Sequence, residues 1–208
     1  IITVMIVLYL LAIMPRMTHK PDKLPFQGVL YAHRGLHDNK GDAPENSMKA
    51  FEKAVDSGYG IELDVQLSKD KVPVIFHDFT LKRVCGQDGK VCDYTYEELQ
   101  GFTLCGSKEK IPRLSDFLSM VNGRVPLIVE LKVEWTDVSV CPLADEILRG
   151  YQGVYCIESF NPLALIWYRR NRNEVMRGQL SDAFFQEEGV KGLLYFVLEH
   201  MLLNCVTK

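Results

Sequence analysis

The sequence predicts an α/β protein built on parallel strands, either an open sheet or a barrel. Three observations lead there. From Gly60 to Leu67, apolar Ile61, Leu63, Val65 and Leu67 alternate with Glu62, Asp64 and Gln66, the period of a strand with one face in a core. Beyond Ile111, strand-like and helix-like stretches alternate, as they do where helices cross over between parallel strands. The groups able to do chemistry fall at the C-terminal ends of the expected strands, the edge on which α/β folds build sites.

Composition sets broad limits. The 208 residues are 47% hydrophobic and 25% charged, enough for one well-buried domain. A net charge of −3 carries no nucleic-acid footprint, because backbone binding needs clustered positive charge. Six cysteines (Cys85, Cys92, Cys105, Cys141, Cys156 and Cys205) form no C-x-x-C pair, so neither a zinc ribbon nor a thioredoxin-type site is expected. Cys85 and Cys92 are close in sequence, and free thiols are expected there.

Taken in order, the chain opens with Ile1 to Met14, apolar except for Thr3 but shorter than the roughly 20 residues of a spanning helix. With no initiator Met, residues 1–20 read as the remnant of a membrane anchor with a basic flank of Arg16, Lys20 and Lys23. The positive-inside bias would then place the soluble domain on the cytoplasmic side. Residues 21–28 read as a linker, and Val29 to Ala32 as a buried strand ending in His33-Arg34-Gly35. Pro44-Glu45-Asn46-Ser47 opens a helix whose Met48, Phe51, Ala54 and Val55 recur at helical spacing until Gly58 ends it. After Gly60 to Leu67, a second β-rich run from Val72 to Phe76 follows too soon for a parallel crossover. A hairpin with Asp70-Lys71 as a two-residue turn would set His77 opposite Asp64, on the face that carries Glu62.

Residues 79–110 are polar and irregular, with a short helical piece at Tyr96 to Leu99, and read as an excursion above the scaffold. The alternation then runs helix (Leu114 to Val121), strand (Val125 to Lys132), helix (about Pro142 to Leu148), strand (Val154 to Phe160), helix (Leu163 to Arg170) and strand (Val175 to Leu180). Val190 to Val206 reads as an apolar helix in need of cover.

The chemistry collects around Glu62, Asp64 and His77, with His33 and Arg34 after the first strand and Glu130 and Lys132 sharing one strand face. Carboxylates this close repel unless a proton or cation intervenes, and such oxygen ligands suit Mg²⁺ or Ca²⁺. A salt-bridged, solvated strand face is the alternative.

These residues, in order, resemble the glycerophosphodiester phosphodiesterase family: His33-Arg34-Gly35, Glu45-Asn46-Ser47 with Ala50-Phe51, Ile61-Glu62-Leu63-Asp64-Val65, His77-Asp78, Ile111-Pro112-Arg113-Leu114 and Glu130-Leu131-Lys132. The resemblance implies a TIM-like (β/α) barrel over residues 29–208, with a small insertion at about 79–110. Such a barrel takes about 250 residues, so the last two strands are expected to be missing. It further implies that Glu62, Asp64 and Glu130 hold one Mg²⁺ or Ca²⁺, that His33 and His77 act as acid and base, and that Arg34 and Lys132 bind the phosphate. Glu45 would be a further ligand or would orient Arg34. The activity implied is metal-dependent hydrolysis of glycerophosphodiesters to glycerol 3-phosphate and an alcohol. The alternatives are a lysophospholipase D-type activity on membrane lipids and a non-catalytic, membrane-tethered phosphate-binding homologue.

Overall fold

A computed structural model describes residues 2–18 and 20–181. Its elements are α1 (Ile2–Ile13), β1 (Tyr31–His33), α2 (Met48–Asp56), β2 (Gly60–Leu67), β3 (Pro73–Ile75), α3 (Lys82–Cys85), α4 (Tyr96–Leu99), α5 (Leu114–Val121), β4 (Leu127–Leu131), α6 (Val140–Leu148), β5 (Tyr155–Ser159), α7 (Pro162–Asn171) and β6 (Arg177–Gln179). The strands form one sheet in the order β1-β2-β4-β5-β6, with β3 also paired to β2. Every pairing along the order is parallel, and β3 alone runs antiparallel. This is the arc of a TIM-type barrel, as the alternation of strand and helix predicts. The apolar Val190 to Val206 stretch lies outside the described residues.

The helices form where the periodicity places them. Ser47 caps α2 by accepting a hydrogen bond from the Ala50 N–H, and the helix buries Ala50, Phe51, Ala54 and Val55. Helix α5 buries Leu114, Phe117, Leu118 and Val121, and Phe117 meets Phe51 edge-on at 4.6 Å between ring centroids. With α6 and α7 these helices cover one face of the sheet, where Ile61, Leu63 and Val65 of β2 and Leu127, Val129 and Leu131 of β4 are wholly buried. The last turn of α5 ends on Asn122 in the left-handed conformation.

The other face of β2 is not solvated. All eight residues of the strand are buried, Glu62, Asp64 and Gln66 included. Neighbouring strands and the segment after β3 close over it. Val74 and Phe76 project from the β3 side into a second apolar cluster with Leu81, Val84, Val91, Leu99, Leu104 and Ile111, so residues 79–110 carry a small core of their own.

The hairpin differs by one residue from the expected register. Val65 pairs with Ile75, Gln66 with Val74 and Leu67 with Pro73, and the Phe76 N–H donates to the Asp64 carbonyl. Asp64 is therefore opposite Phe76, not His77. The cause is Ser68, whose hydroxyl accepts from the Val72 N–H at 2.9 Å and donates to Asp70 Oδ1 at 2.6 Å, closing a three-residue connection. Lys71 completes it at φ 64°, the left-handed residue that such three-residue loops require.

The membrane-anchored, cytoplasm-facing placement is overturned. Helix α1 has 12 residues, about 18 Å of helix against a hydrocarbon core of about 30 Å. No helix among the described residues is long and apolar enough to cross a membrane. Arg16, read from the sequence as part of the anchor's basic flank, donates through Nη1 to the Asn173 carbonyl at 2.9 Å. The cysteines among the described residues are free, Cys85 and Cys92 included.

Candidate active site

Parallel register carries the strand-borne site residues to two adjacent levels, His33 with Glu62 and, two residues on, Asp64 with Glu130 and Glu158. His33 lies beside Glu62, Asp64 beside Glu130, and Glu130 beside Glu158 on three successive pairings. Because side chains alternate along a strand, Glu62, Asp64, Glu130 and Glu158 share the inner face. Strand β2 runs on past this level, and β3 takes up the edge that β1 leaves.

Carboxylate oxygens of Glu62, Glu130 and Glu158 lie within 4.8 Å of one another. Burial pushes the Glu62 carboxyl up to about 8, with the charges of Asp64, Glu130 and Glu158 adding to it. Burial also raises Glu130 against the opposing Lys132, and it raises Glu158 to about 7 with help from Glu130 and Asp64. Glu158 was not among the residues singled out from sequence. The signal was present, since it ends a predicted strand on the same alternation that marked Glu130.

Asp64 is the wholly buried member. Its Oδ2 accepts from Asn46 Nδ2 at 2.9 Å and lies 3.6 Å from Arg34 Nε. Its Oδ1 has no hydrogen-bond donor, although Lys132 Nζ is 3.3 Å away in ion-pair contact. Lys132 donates instead to Glu130 Oε1 at 2.8 Å.

Arg34 and Asn46 both hold the left-handed conformation, at φ 55° and 56°, and brace each other through a 3.0 Å hydrogen bond from the Asn46 N–H to the Arg34 carbonyl. The strained turn aims the Arg34 N–H at Glu62 Oε2, 3.0 Å away, and its guanidinium at Glu45 Oε1, also 3.0 Å. Gly35, at φ 81°, has no room for a side chain, because a Cβ would stand 2.9 Å from the Ala50 backbone.

Glu45 does not join the glutamate cluster. Arg83 grips it with Nη1 at 2.8 Å and Nη2 at 2.6 Å, and Asn39 donates to it at 2.7 Å. Although burial works to raise it, these bonds hold its carboxyl near 2. Arg83 also reaches Asp78, whose Oδ1 is 2.6 Å from His77 Nδ1. Burial opposes the shift at Asp78 as well, yet the Arg83 and His77 bonds keep its carboxyl low. An ionised carboxylate only accepts, so Nδ1 carries the proton and Nε2 of His77 is left for other work. Gln66 fixes the path of this segment by donating to the Phe76 and Asp78 carbonyls at 2.7 and 2.9 Å.

His33 is the more open imidazole, its side chain 66% exposed and its Nε2 3.9 Å from Glu62 Oε2. Burial of its remaining surface, then the Arg34 charge, lowers its pKa, and the His77 charge lowers it further.

Fold and site together define a barrel-type α/β protein with a cluster of buried carboxylates at the C-terminal rim of its strands. Residues 33–189 match the glycerophosphoryl diester phosphodiesterase family, and the chain belongs to it. It is 41% identical over 112 residues to a glycerophosphodiester phosphodiesterase of Bacillus altitudinis, a match covering 50% of this chain and 44% of that one. A human relative, glycerophosphodiester phosphodiesterase 1, is 32% identical over 111 residues, covering 49% of this chain and 33% of its own. The chain thus spans less than half the length of these relatives. Among solved structures, an Oleispira antarctica phosphodiesterase in complex with the product sn-glycerol-3-phosphate superposes with a TM-score of 0.68 at 29% identity, covering 85% of this chain and 72% of that one. A Thermotoga maritima glycerophosphodiester phosphodiesterase gives 0.61 at 29% identity, covering 82% and 68%.

Proposed function

We propose that this rim hydrolyses glycerophosphodiesters, releasing glycerol 3-phosphate and an alcohol. One observation carries the reading: register pairs His33 with Glu62 and Asp64 with Glu130, so groups from separate stretches gather at the C-terminal ends of neighbouring strands. A purely structural ion-pair cluster does not call for an imidazole 3.9 Å from the Glu62 carboxylate. Family membership and the glycerol 3-phosphate bound in the Oleispira structure support the substrate class.

The chain's own groups divide the work as follows. Burial and the Arg34 charge favour the neutral form of His33, so its exposed imidazole can take a proton from the attacking hydroxyl or water. His77, oriented through Nδ1 by Asp78, holds a proton on Nε2 for the departing alkoxide when the ring is charged. Arg34 and Lys132 place two positive charges where the phosphoryl oxygens gain negative charge. Glu45 is a positioning residue, holding Arg34 on one side and Arg83 on the other.

The donor set fits a hard divalent cation, with several buried carboxylate oxygens facing one another and the Asp64 Oδ1 atom left without a donor. Glu62, Asp64 and Glu130 would hold Mg²⁺ or Ca²⁺, and the ion would supply positive charge against the phosphate oxygens as the phosphorus gains a fifth ligand. The test is turnover on glycerophosphocholine beside lysophosphatidylcholine, each with and without excess chelator. Chelator-sensitive release of glycerol 3-phosphate from the first is expected. Release from neither substrate would refute the reading, and equal rates in excess chelator would remove the cation from it.

A further inference from the structure

We propose that Glu158 is a fourth carboxylate ligand of the cation, and that it makes the site selective for Ca²⁺ over Mg²⁺. This rests on reading the rim as a metal site. Glu158 comes from β5, the strand beyond the last recognisable motif, yet its carboxylate stands within 4.8 Å of both Glu62 and Glu130. Register puts it directly beside Glu130. A salt-bridged cluster would give each carboxylate its own cation, and this one does not. Lys132 contacts Glu130 at 2.8 Å and Asp64 at 3.3 Å, Arg34 divides itself between Asp64 and Glu45, and Glu158 makes no ion pair among the described residues.

The second observation is independent of the glutamates. The Asp64 side chain is 1% exposed, and its Oδ1 has no hydrogen-bond donor. The same ammonium that donates to Glu130 lies 3.3 Å from it, which sets Oδ1 next to the Glu130 carboxylate. A buried acceptor without a donor is costly, and an ion among the carboxylates would satisfy it. Among the described residues, Glu62, Asp64, Glu130 and Glu158 have Lys132, a shared Arg34 and His33 beside them, so with all four carboxylates ionised and His33 neutral at least two negative charges are left over, the amount one divalent ion offsets.

Ligand number then decides between the ions. Mg²⁺ keeps several waters and is usually held by one or two carboxylates, whereas Ca²⁺ takes 6–8 oxygens in looser geometry. Three glutamates within 4.8 Å of one another, with Asp64 beside Glu130 in the strand register, favour the larger, more highly coordinated ion. The residue that tips the balance is Glu158.

The experiment is calorimetric titration of chelator-stripped protein with Ca²⁺ and with Mg²⁺, for wild type, Glu158→Gln and Glu130→Gln, with melting temperatures recorded metal-free and at saturating Ca²⁺. Wild type should bind Ca²⁺ more tightly than Mg²⁺. Glu158→Gln should weaken Ca²⁺ by about tenfold or more while Mg²⁺ changes far less. It should also melt higher than wild type without metal, because one of the facing charges is gone, and that result separates a ligand from a structural residue. Unchanged Ca²⁺ binding by Glu158→Gln, with binding lost in Glu130→Gln, would overturn this inference alone. No binding of either ion by folded wild type would overturn the metal reading with it.

Discussion

Replacing Lys132 by Met tests whether the inner face of the sheet is a strained electrostatic cup. The substitution keeps an unbranched side chain that ends at the Lys Cε position and removes the charged ammonium. Lys132 is 10% exposed at the side chain, and its partners Glu130 and Asp64 are 8% and 1% exposed, at 2.8 and 3.3 Å. Exposed ion pairs contribute only about 0–1 kcal/mol, but that figure assumes water around both charges. Here the two carboxylates would be left buried beside Glu62 and Glu158 with no ammonium, and breaking a buried pair in this way costs about 3–5 kcal/mol. For a chain of this size each kcal/mol moves the melting temperature by about 2–4 °C, so a fall of about 6–20 °C is expected by differential scanning calorimetry in chelator. Saturating Ca²⁺ should recover part of that fall, since the ion supplies charge to the same oxygens. Turnover should fall as well, through loss of the phosphate contact. A melting temperature within 2 °C of wild type in chelator would refute the argument, because it would mean that water already screens these carboxylates.

The remaining expectations follow from the same geometry. Glu62 and Glu158 are held at about 8 and 7 against an ordinary 4.5, so between those limits the folded state binds more protons than the unfolded one. Metal-free protein should therefore become more stable as pH falls from about 8 toward 5, and Ca²⁺ should suppress that trend; a steady loss of stability over this range would contradict the raised carboxyls. His77→Ala should regain most of its activity on a p-nitrophenyl ester, whose leaving group needs no proton, while His33→Ala should stay inactive on both ester types. Equal losses for both variants on both esters would sink the division into acid and base. Gly35→Ala should lower stability and turnover together, since its φ of 81° disfavours a side chain and a Cβ would meet the Ala50 backbone at 2.9 Å. A variant that melts and turns over like wild type would show that the Arg34 turn has slack.

Periodicity and strand-end placement were enough to make the scaffold and most of its rim legible in the sequence. Leu114 to Val121 and Tyr96 to Leu99 form helices over the expected residues, and Glu62, Asp64, Glu130 and Lys132 meet as the period of two implies. Those features are local, because an amphipathic stretch carries its own pattern and a strand's faces alternate whatever it packs against. Apart from the hairpin register, which short-range bonds set, what only the tertiary structure decided depended on partners distant in sequence. The hairpin register turned on Ser68, whose hydroxyl bonds outweighed the two-residue turn that Asp70-Lys71 suggested. The burial of Asp64 on the inner face of β2 required Asn46 and Arg34, from the loop before α2 and the end of β1, to stand against it. Arg83 joined the site because it bridges Glu45 and Asp78, residues 33 positions apart in the chain. Glu158 reached the carboxylate group through a pairing between β4 and β5, and no spacing within either strand encodes which strand will be its neighbour.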